Sequence, residues 1–505
     1  MKPEKGWIRK DLRLFILKDL KLDVSVVNKT FEGATFLPDI IAFLDKKAGE
    51  LRKISDAVWD YAELGFKEYK SSKVQADYLE SQGFSVKRAA GGIPTAFVAE
   101  WGEGRPVIGF LGEYDALAGV SQEASYIRKP RVEGAPGHGC GHNLLGTASL
   151  GAALALKEAL AEMKVPGTVR YYGCPAEELL AGKVYMAREG LFSDLDVAIT
   201  WHPGSLNTVR LGSGNAMNSA KFRFHGKTAH AAADPHNGRS ALDAVELMNV
   251  GVNYLREHVI NQARIHYVIT NGGGQPNVVP AEAEVWYFVR APHRHQVEEI
   301  YERLVDVAKG AALMTGTSYD IEFLTGCYEV LINDVLADVM WRSLQKVGAP
   351  AFDEDDLEFA RKLSETFDKG VVENLRKSPE FQEYKELQGQ ILNTTLVPPH
   401  GKGRSGGGST DVGDVSWIVP TVQVSTATVP IGCPGHSWQN CASSGSSIGF
   451  KGMMVAAKAM ALCGLDLIEH PEEIKRAKAE FDEKTKDSPY KCPFPKDREF
   501  PLDQF

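Results

Sequence analysis

Cysteine is scarce and scattered in this sequence. Its 505 residues include seven cysteines, an odd number spread over the whole length. Secreted domains that rely on disulfides show the opposite pattern, with many closely spaced cysteines. The sequence therefore predicts reduced thiols and a cytoplasmic protein.

An excess of basic residues is also missing. Lysine and arginine together number 57 against 66 aspartates and glutamates, which gives a formal net charge of -9. Proteins that bind nucleic acid over a broad surface normally present a basic face. We therefore expect no nucleic-acid partner.

The start of the chain has no long apolar run. Its first apolar stretch covers only residues 14–17 and is bounded by Arg13, Lys18 and Asp19. Such a stretch is too short and too closely flanked by charge for a secretory signal or a membrane span. We expect no membrane association, and we interpret residues 1–38 as an N-terminal extension.

The hydrophobic pattern predicts an α/β protein. A length of 505 residues suggests about two to three domains. Apolar residues recur at helical spacing over residues 39–82, with a break near Gly65. Residues 107–111 are uniformly apolar, as in a strand that is buried on both faces.

The pattern changes near residue 216. From there to about residue 329, the predicted order β-α-β-β-α-β is typical of a compact ferredoxin-like unit inserted into a larger domain. The predicted organisation is an N-terminal extension (1–38), a first segment of the catalytic domain (39–215), an inserted domain (216–329), a second segment of the catalytic domain (330–470) and a C-terminal tail (471–505).

Residues that can bind metals follow successive predicted strands. Each is weak evidence alone, because a Cys-x-His pair is often incidental and acidic residues are common in turns. Their repetition is stronger evidence, since sites in open α/β sheets form beyond the carboxyl ends of the strands. In chain order these residues are Glu113, Asp115, Cys140, His142, Glu177, Glu178 and His202.

A mixed set of ligands favours Zn²⁺ or Mn²⁺ over Ca²⁺ or Mg²⁺. The candidate ligands, including a late histidine, are Cys140, His142, Glu178, His202 and His436. Five ligands exceed one tetrahedral site, so we predict two divalent ions that activate a water for amide hydrolysis. Glu177 then remains as the general acid/base, and Asp115 as the carboxylate behind a histidine ligand.

A competing interpretation makes Cys140 a nucleophile and His142 its base. That scheme leaves the two adjacent glutamates and two further histidines without a role. We therefore rank it below the metal mechanism.

Longer motifs surround these residues. They are LGEYDALAG (111–119), GHGCGHNLLGT (137–147), PAEE (175–178), TWHP (200–203), GRSALDAV (238–245), PNVVPAEAEV (276–285) and STDVGDVSW (409–417). With these motifs the sequence resembles the M20 metallopeptidase family, in its amidohydrolase branch, over roughly residues 40–495.

The resemblance implies a zinc-peptidase-like catalytic domain with a mixed sheet, and an inserted domain that serves as dimerisation domain and lid. It implies the metal ligands and the general base given above. It also implies that His230 stabilises the oxyanion, often in the partner's site, and that Asn277 and Arg290 bind substrate. The implied partners are an N-acyl or p-aminobenzoyl amino acid as substrate, and an identical or related chain that associates through residues 216–329.

Two positions depart from the pattern of this branch. Asn143 stands where an aspartate is usual, and Glu113 with Asp115 replaces a pair of aspartates. We expect both positions to lie beside the metals.

The sequence leaves two alternative functions open. One is hydrolysis of another N-acyl amino acid or a small dipeptide. The other is a non-catalytic binding role, which is disfavoured because every expected ligand is present.

Overall fold

The structure, a computed structural model, describes residues 39–494. The predicted N-terminal extension (1–38) and the end of the predicted C-terminal tail (495–505) lie outside the described residues.

Strands and helices alternate along the chain, as expected from the sequence. The strands are β1 Ser85–Arg88, β2 Phe97–Glu103, β3 Val107–Glu113, β4 Gly167–Cys174, β5 Val197–Gly204, β6 Thr208–Val209, β7 Ala216–His225, β8 Arg264–Asn271, β9 Glu282–Ala291, β10 Ser318–Cys327 and β11 Thr421–Ala427. The α-helices are α1 Ile40–Tyr61, α2 Tyr69–Ser81, α3 His142–Met163, α4 Gly182–Arg188, α5 Ala241–Leu255, α6 Arg294–Thr315, α7 Asp334–Val347, α8 Glu354–Ser364, α9 Lys369–Arg376, α10 Pro379–Glu383, α11 Val412–Ser416, α12 Trp438–Ser444, α13 Ser447–Glu469 and α14 Pro471–Thr485.

The larger sheet has the strand order β1-β2-β4-β3-β5-β11-β6. Its centre is parallel, since β4, β3, β5 and β11 pair in the same direction. Its outer pairs are antiparallel. The predicted mixed sheet is therefore confirmed, and the parallel strands bring their carboxyl ends to one edge.

Both faces of this sheet are covered. In β3, Ile108 and Phe110 belong to a core cluster that includes residues of α1, α3, α7 and α13. Val107 and Leu111 belong to a second cluster, which includes residues of α4. Alternation of side chains across a strand explains why the whole run is apolar.

Among residues 39–494, two helices are long and apolar enough to cross a membrane by length and composition alone. They are α3 and α13, whose most apolar windows are 83% and 78% buried inside the protein. Both contribute to the core beside the larger sheet. Their apolar character is therefore accounted for by packing within the protein.

The second sheet has the order β10-β7-β9-β8 and is antiparallel throughout. One face packs on α5 and α6 around a core cluster that includes Phe222, Phe224 and Tyr287. The ferredoxin-like arrangement of this segment is therefore confirmed. The predicted domain boundaries themselves stay a prediction.

The segment predicted as a tail begins with a helix that packs on the larger domain. Ala477 and Phe481 of α14 are buried, and the amide of Asn333 donates to the Ala477 carbonyl. Farther along, Phe494 is buried and stacks on Tyr185 with the ring centres 4.2 Å apart.

Candidate metal centre

The metal-binding residues predicted from the sequence come from the carboxyl edge of the larger sheet. Glu113 at the end of β3 lies opposite Cys174 at the end of β4. On the next strands, His202 lies opposite Ser425. Because these strands are parallel, the loops that carry Asp115 and Glu177 leave the sheet at the same edge.

The turn before α3 brings Cys140 close to His202. Gly141 has a φ of 81°, and a Cβ there would lie 3.1 Å from the ring of Pro203. Glycine is thus needed both for the left-handed backbone and for the close approach to β5. As a result, Cys140 Sγ lies 3.5 Å from His202 Nε2.

All five predicted metal ligands gather at this place. Their ligand atoms fall into overlapping groups, each with its members within 4.8 Å of one another: Cys140, His142 and His202; Cys140, Glu178 and His436; and Glu113, His142 and Glu177. The last group adds Glu113 to the predicted set. Between groups, His142 Nε2 lies 3.9 Å from Glu178 Oε1; within the second group, His436 Nε2 lies 3.4 Å from Glu178 Oε2.

Several of these ligand atoms are buried without a hydrogen-bond partner. They are Glu113 Oε2, His142 Nε2 and Glu178 Oε1. Leaving a buried polar atom unsatisfied costs about 1–3 kcal/mol, and more for a charged group. Divalent cations would satisfy all three atoms, and a set of nitrogen, oxygen and sulfur donors suits ions such as Zn²⁺ or Mn²⁺. The residues present therefore fit a metal centre.

Asp115 holds the ring of His142 in place. Its Oδ1 lies 2.9 Å from His142 Nδ1, and its Oδ2 accepts a hydrogen bond of 2.8 Å from the backbone N–H of Glu178. Burial would raise the pKa of Asp115, but the charge and hydrogen bond of His142 outweigh it and lower that pKa. With Nδ1 engaged, Nε2 is turned toward the carboxylates.

The two adjacent glutamates share a crowded, buried environment. Burial, reinforced by the charges of Glu113 and Glu178, raises the pKa of Glu177 well above its usual range. Burial also raises the pKa of Glu178 to about 7. Since a nearby cation favours the ionised form, bound metal would lower both pKa values.

A cavity of about 600 Å³ opens beside this cluster. Cys140, Glu177 and His202 line it together with two arginines. Arg290 donates from Nη1 to Ser409 Oγ at 3.1 Å, while its Nε is buried without a partner. Within residues 39–494, the guanidinium of Arg210 has no hydrogen bond or ion pair.

His230 and Asn277 lie elsewhere in this chain. Both are exposed on the segment that carries the second sheet, and neither lines the cavity. They are neighbours, since the backbone N–H of Ala231 donates to the Asn277 carbonyl at 3.0 Å. His230 Nδ1 accepts a hydrogen bond of 3.2 Å from Ala233 N. One copy of the chain does not bring these two residues to the metal ligands.

Asn143 is hydrogen-bonded to two neighbouring helices. Its amide Nδ2 donates to Ser55 Oγ at 3.1 Å and to the Ser444 carbonyl at 3.2 Å. The side chain thus joins α3 to α1 and α12, while its Oδ1 is buried without a hydrogen-bond partner. The expectation that Asn143 lies beside the metals stays a prediction.

Sequence reasoning missed Lys183 as a residue of this site. Lys183 is completely buried, and its ammonium lies 2.6 Å from both Glu113 Oε1 and Asp411 Oδ1. The available signal was one lysine between apolar residues in α4, shortly after the glutamate pair. Asp411 belongs to the motif at residues 409–417, for which the sequence predicted no role.

Comparison with known proteins finds a matching family profile and two similar hydrolases. A family profile described as a peptidase dimerisation domain of the M20 type matches residues 215–314. One subunit of the p-aminobenzoyl-glutamate hydrolase of Escherichia coli is 44% identical, over 88% of this chain and 94% of the relative. The Xaa-Arg dipeptidase of Mus musculus is 29% identical, over 87% and 90%.

A solved structure has the same fold. It is a dinuclear metal binding peptidase of the M20 family from Bacillus subtilis, with a TM-score of 0.55 and 17% identity. The match covers 84% of this chain and 99% of that protein. The predicted zinc-peptidase-like fold with an inserted domain is thereby confirmed.

Proposed function

Since this chain belongs to the M20 peptidase family and is a metal-dependent amide hydrolase, we propose that it cleaves N-acyl or p-aminobenzoyl amino acids, with p-aminobenzoyl-glutamate as the preferred type of substrate. The observation that carries this proposal is the cluster of buried, partnerless ligand atoms beside a cavity lined by two arginines. The 44% identity with one chain of a p-aminobenzoyl-glutamate hydrolase supports the substrate.

We propose that Cys140, His142, Glu178, His202 and His436 hold two divalent ions, Mn²⁺ or Zn²⁺. When bound, such ions polarise the amide carbonyl and make a water nucleophilic near neutral pH. Asp115 keeps the His142 ring oriented through its 2.9 Å contact with Nδ1. Cys140 then serves as a thiolate ligand.

Glu177 is the group that moves the proton. Its carboxylate lines the cavity and belongs to the same cluster as His142. It accepts a proton from the attacking water and later returns it to the nitrogen of the leaving amine. In the absence of metal, burial raises the pKa of Glu177. Carboxyl groups with strongly shifted pKa values are common among catalytic acids and bases.

The arginines of the cavity bind the carboxylates of the substrate. Arg290 lies at the cavity wall with Ser409, and Arg210 offers a second guanidinium that has no hydrogen-bond or ion-pair partner among residues 39–494. A guanidinium suits a carboxylate because it can donate two parallel hydrogen bonds. A substrate with an acidic amino acid therefore fits this cavity better than a neutral one.

Two residues of the site would come from another chain. We propose that residues 216–329 join two chains, identical or related, and that Asn277 and His230 of one chain reach the cavity of the other. His230 then stabilises the oxyanion and Asn277 contacts the substrate. Support comes from their exposure away from the cavity of their own chain and from the match to a dimerisation domain.

We propose a cytoplasmic location. In the structure all seven cysteines are free thiols, which suits a reducing compartment.

A substrate panel tests the function. Protein stripped of metal and reloaded with Mn²⁺ or Zn²⁺ is assayed on p-aminobenzoyl-glutamate, p-aminobenzoyl-alanine, benzoyl-glycine and an Xaa-Arg dipeptide. We expect kcat/KM for p-aminobenzoyl-glutamate to exceed that for the alanine compound by about tenfold or more, which corresponds to about 1.4 kcal/mol of carboxylate recognition.

Two results would contradict the proposal. Preference for the dipeptide would favour a dipeptidase, and absence of any hydrolysis by metal-loaded protein would favour a non-catalytic binding role. The variant Arg290→Gln provides a control for carboxylate recognition, because it should lower activity on p-aminobenzoyl-glutamate more than on the alanine compound.

A further inference from the structure

Glu113 is buried at the metal centre with its two oxygens in different situations. Oε1 lies 2.6 Å from the ammonium of Lys183. Oε2 has no hydrogen-bond partner and lies 3.3 Å from His142 Nε2, which is itself buried and unsatisfied. Two buried atoms of ligand type, neither with a hydrogen-bond partner, therefore face each other at the distance of an ion pair with a protonated imidazole or of two ligands on one cation.

The spacing of these two atoms suits coordination of one ion. Zinc binds nitrogen and oxygen ligands at about 2.0–2.2 Å, so two ligands of one tetrahedral ion lie about 3.3–3.6 Å apart. The third member of this group is Glu177, whose Oε2 is 3.8 Å from His142 Nε2. The ion pair with Lys183 satisfies only Oε1, so Oε2 still calls for a donor or a cation.

Lys183 fixes the orientation of Glu113. It is completely buried in α4, and its ammonium also lies 2.6 Å from Asp411 Oδ1. Asp411 is fixed in turn, because its Oδ2 accepts a 2.8 Å hydrogen bond from the backbone N–H of Lys183. With Oε1 held in this way, the carboxylate of Glu113 presents Oε2 toward His142.

The charge balance of the site also calls for a cation. Four carboxyl groups are buried here, against one ammonium and the imidazole of His142. The carboxyl groups belong to Glu113, Asp115, Glu177 and Asp411. Buried charges are stable only when they are compensated, so the excess negative charge favours binding of positive ions.

We propose that Glu113 is a further ligand of the metal centre, and that Lys183, braced by Asp411, is the residue that positions it. This inference rests on the proposed function, because it assumes that the centre binds metal. It extends the ligand set by one carboxylate from the end of β3.

Metal titration of the full chain after chelation tests the ligand. The variants are Glu113→Gln, which removes the charge, and Glu113→Asp, which keeps the charge but shortens the side chain. The matched control is Glu329→Gln, another buried carboxylate, which contacts His293 and the backbone of Arg294. Calorimetric titration with Mn²⁺ and with Zn²⁺ gives the stoichiometry and Kd of each step.

We expect both Glu113 variants to weaken one binding step by about tenfold or more, and the control to match the unmodified chain. Unchanged affinity in Glu113→Gln would overturn the proposal. Retained affinity in Glu113→Asp alone would also overturn it, because Glu113 would then act only through its charge. If the unmodified chain binds no metal, the proposed function itself fails, which distinguishes the two failures.

The positioning role of Lys183 is tested by a measurement that reports which ligands surround the bound ion. The absorption spectrum of bound Co²⁺ reports the ligands around the ion, so we expect Lys183→Met to change it in the same way as Glu113→Gln. A Lys183→Met spectrum identical to that of the unmodified chain would contradict the positioning role.

Should the variants fail to fold, a crystal structure of the metal-loaded, unmodified chain decides whether Glu113 is a ligand. In that structure Glu113 Oε2 should lie about 2.0–2.2 Å from an ion, and a longer distance to every ion would overturn the proposal.

Discussion

Two clusters of charged residues in this molecule differ in how their charges are satisfied. On the open face of the second sheet, Arg223 pairs with Glu284 at 2.7 Å and also with Glu322. His225 lies between Glu282 and Asp320 at 2.6 and 2.5 Å. We call these six residues the surface ladder. At the metal centre most of the charges are buried, and several ligand atoms have no hydrogen-bond partner.

This difference separates charges that are satisfied within the chain from charges that need a bound cation. The surface ladder is partly exposed, and each charged group has an opposite charge beside it, so water and neighbours suffice. The ligand atoms of the metal centre lie largely buried beside the cavity, and its carboxylates outnumber its cationic groups, so its charges call for a ligand from outside. Substitutions in the two clusters should therefore have very different consequences.

The largest difference is expected for catalysis. Glu177→Ala should lower kcat about 10²–10⁴-fold, because it removes the group that transfers the proton. Metal content should stay unchanged, as measured by elemental analysis of the same sample. Glu284→Ala in the surface ladder is the matched control and should change kcat by less than about twofold. A similar kcat in both variants would mean that Glu177 is no more important for catalysis than a residue of the surface ladder.

The second largest difference between the two clusters is expected in the free energy of unfolding. Lys183→Met leaves Glu113 and Asp411 buried without their shared cation, so the free energy of unfolding of the metal-free protein should fall by about 3–5 kcal/mol. Arg223→Met breaks pairs that are partly exposed and should cost about 1 kcal/mol or less. Urea unfolding at neutral pH measures both. Equal losses would show that burial does not distinguish the two clusters.

A histidine of the second-sheet segment should matter for catalysis despite its distance from the cavity of its own chain. His230→Ala should lower kcat by about 10²-fold, because it removes an oxyanion donor supplied by the partner chain. Metal content should not change. His236→Ala is the control, since it alters an exposed histidine nearby. Full activity of the His230 variant would mean that this segment is not involved in the reaction.

The smallest effect is a pH dependence within the surface ladder. Hydrogen bonding to Asp320, together with that to Glu282, raises the pKa of His225 above its usual value. This stabilisation is fully present below the unfolded pKa of about 6.5 and is lost as pH rises through the higher folded pKa. The side chain is 39% exposed, so solvent weakens the effect.

The measurement compares His225→Gln with the unmodified chain in urea at about pH 5.5 and about pH 9. The variant should be less stable at the lower pH, by less than about 1 kcal/mol, and the difference should vanish at the higher pH and shrink at high salt. A difference of several kcal/mol would place this exposed ladder in the same class as the buried centre.

Much of the fold could be predicted from apolar patterns. The uniformly apolar residues 107–111 indicated a doubly covered strand, and the β-α-β-β-α-β order indicated the second sheet, because both depend on local periodicity. The ends of the predicted strands then indicated that Glu177 and His202 belong to the candidate site. What periodicity could not reveal was Lys183, whose partners Glu113 and Asp411 are 70 and 228 residues away in sequence.

Other features depended on side-chain direction or on a second molecule. Asn143 follows His142 directly, yet its amide bonds to Ser55 on another helix. Only the packed arrangement of α1 and α3 determines that direction. His230 lies outside the cavity of its own chain, so no single chain can test its predicted role.

The central claim is that the buried, partnerless ligand atoms form a metal-dependent hydrolytic centre. The most direct measurement follows p-aminobenzoyl-glutamate hydrolysis after chelation, after re-addition of Mn²⁺ or Zn²⁺, and after alkylation of Cys140 with and without bound metal. We predict that activity disappears on chelation, returns with metal, and that bound metal protects Cys140 from alkylation. Activity that survives chelation but is lost on alkylation of Cys140 would contradict the metal mechanism and favour a cysteine nucleophile.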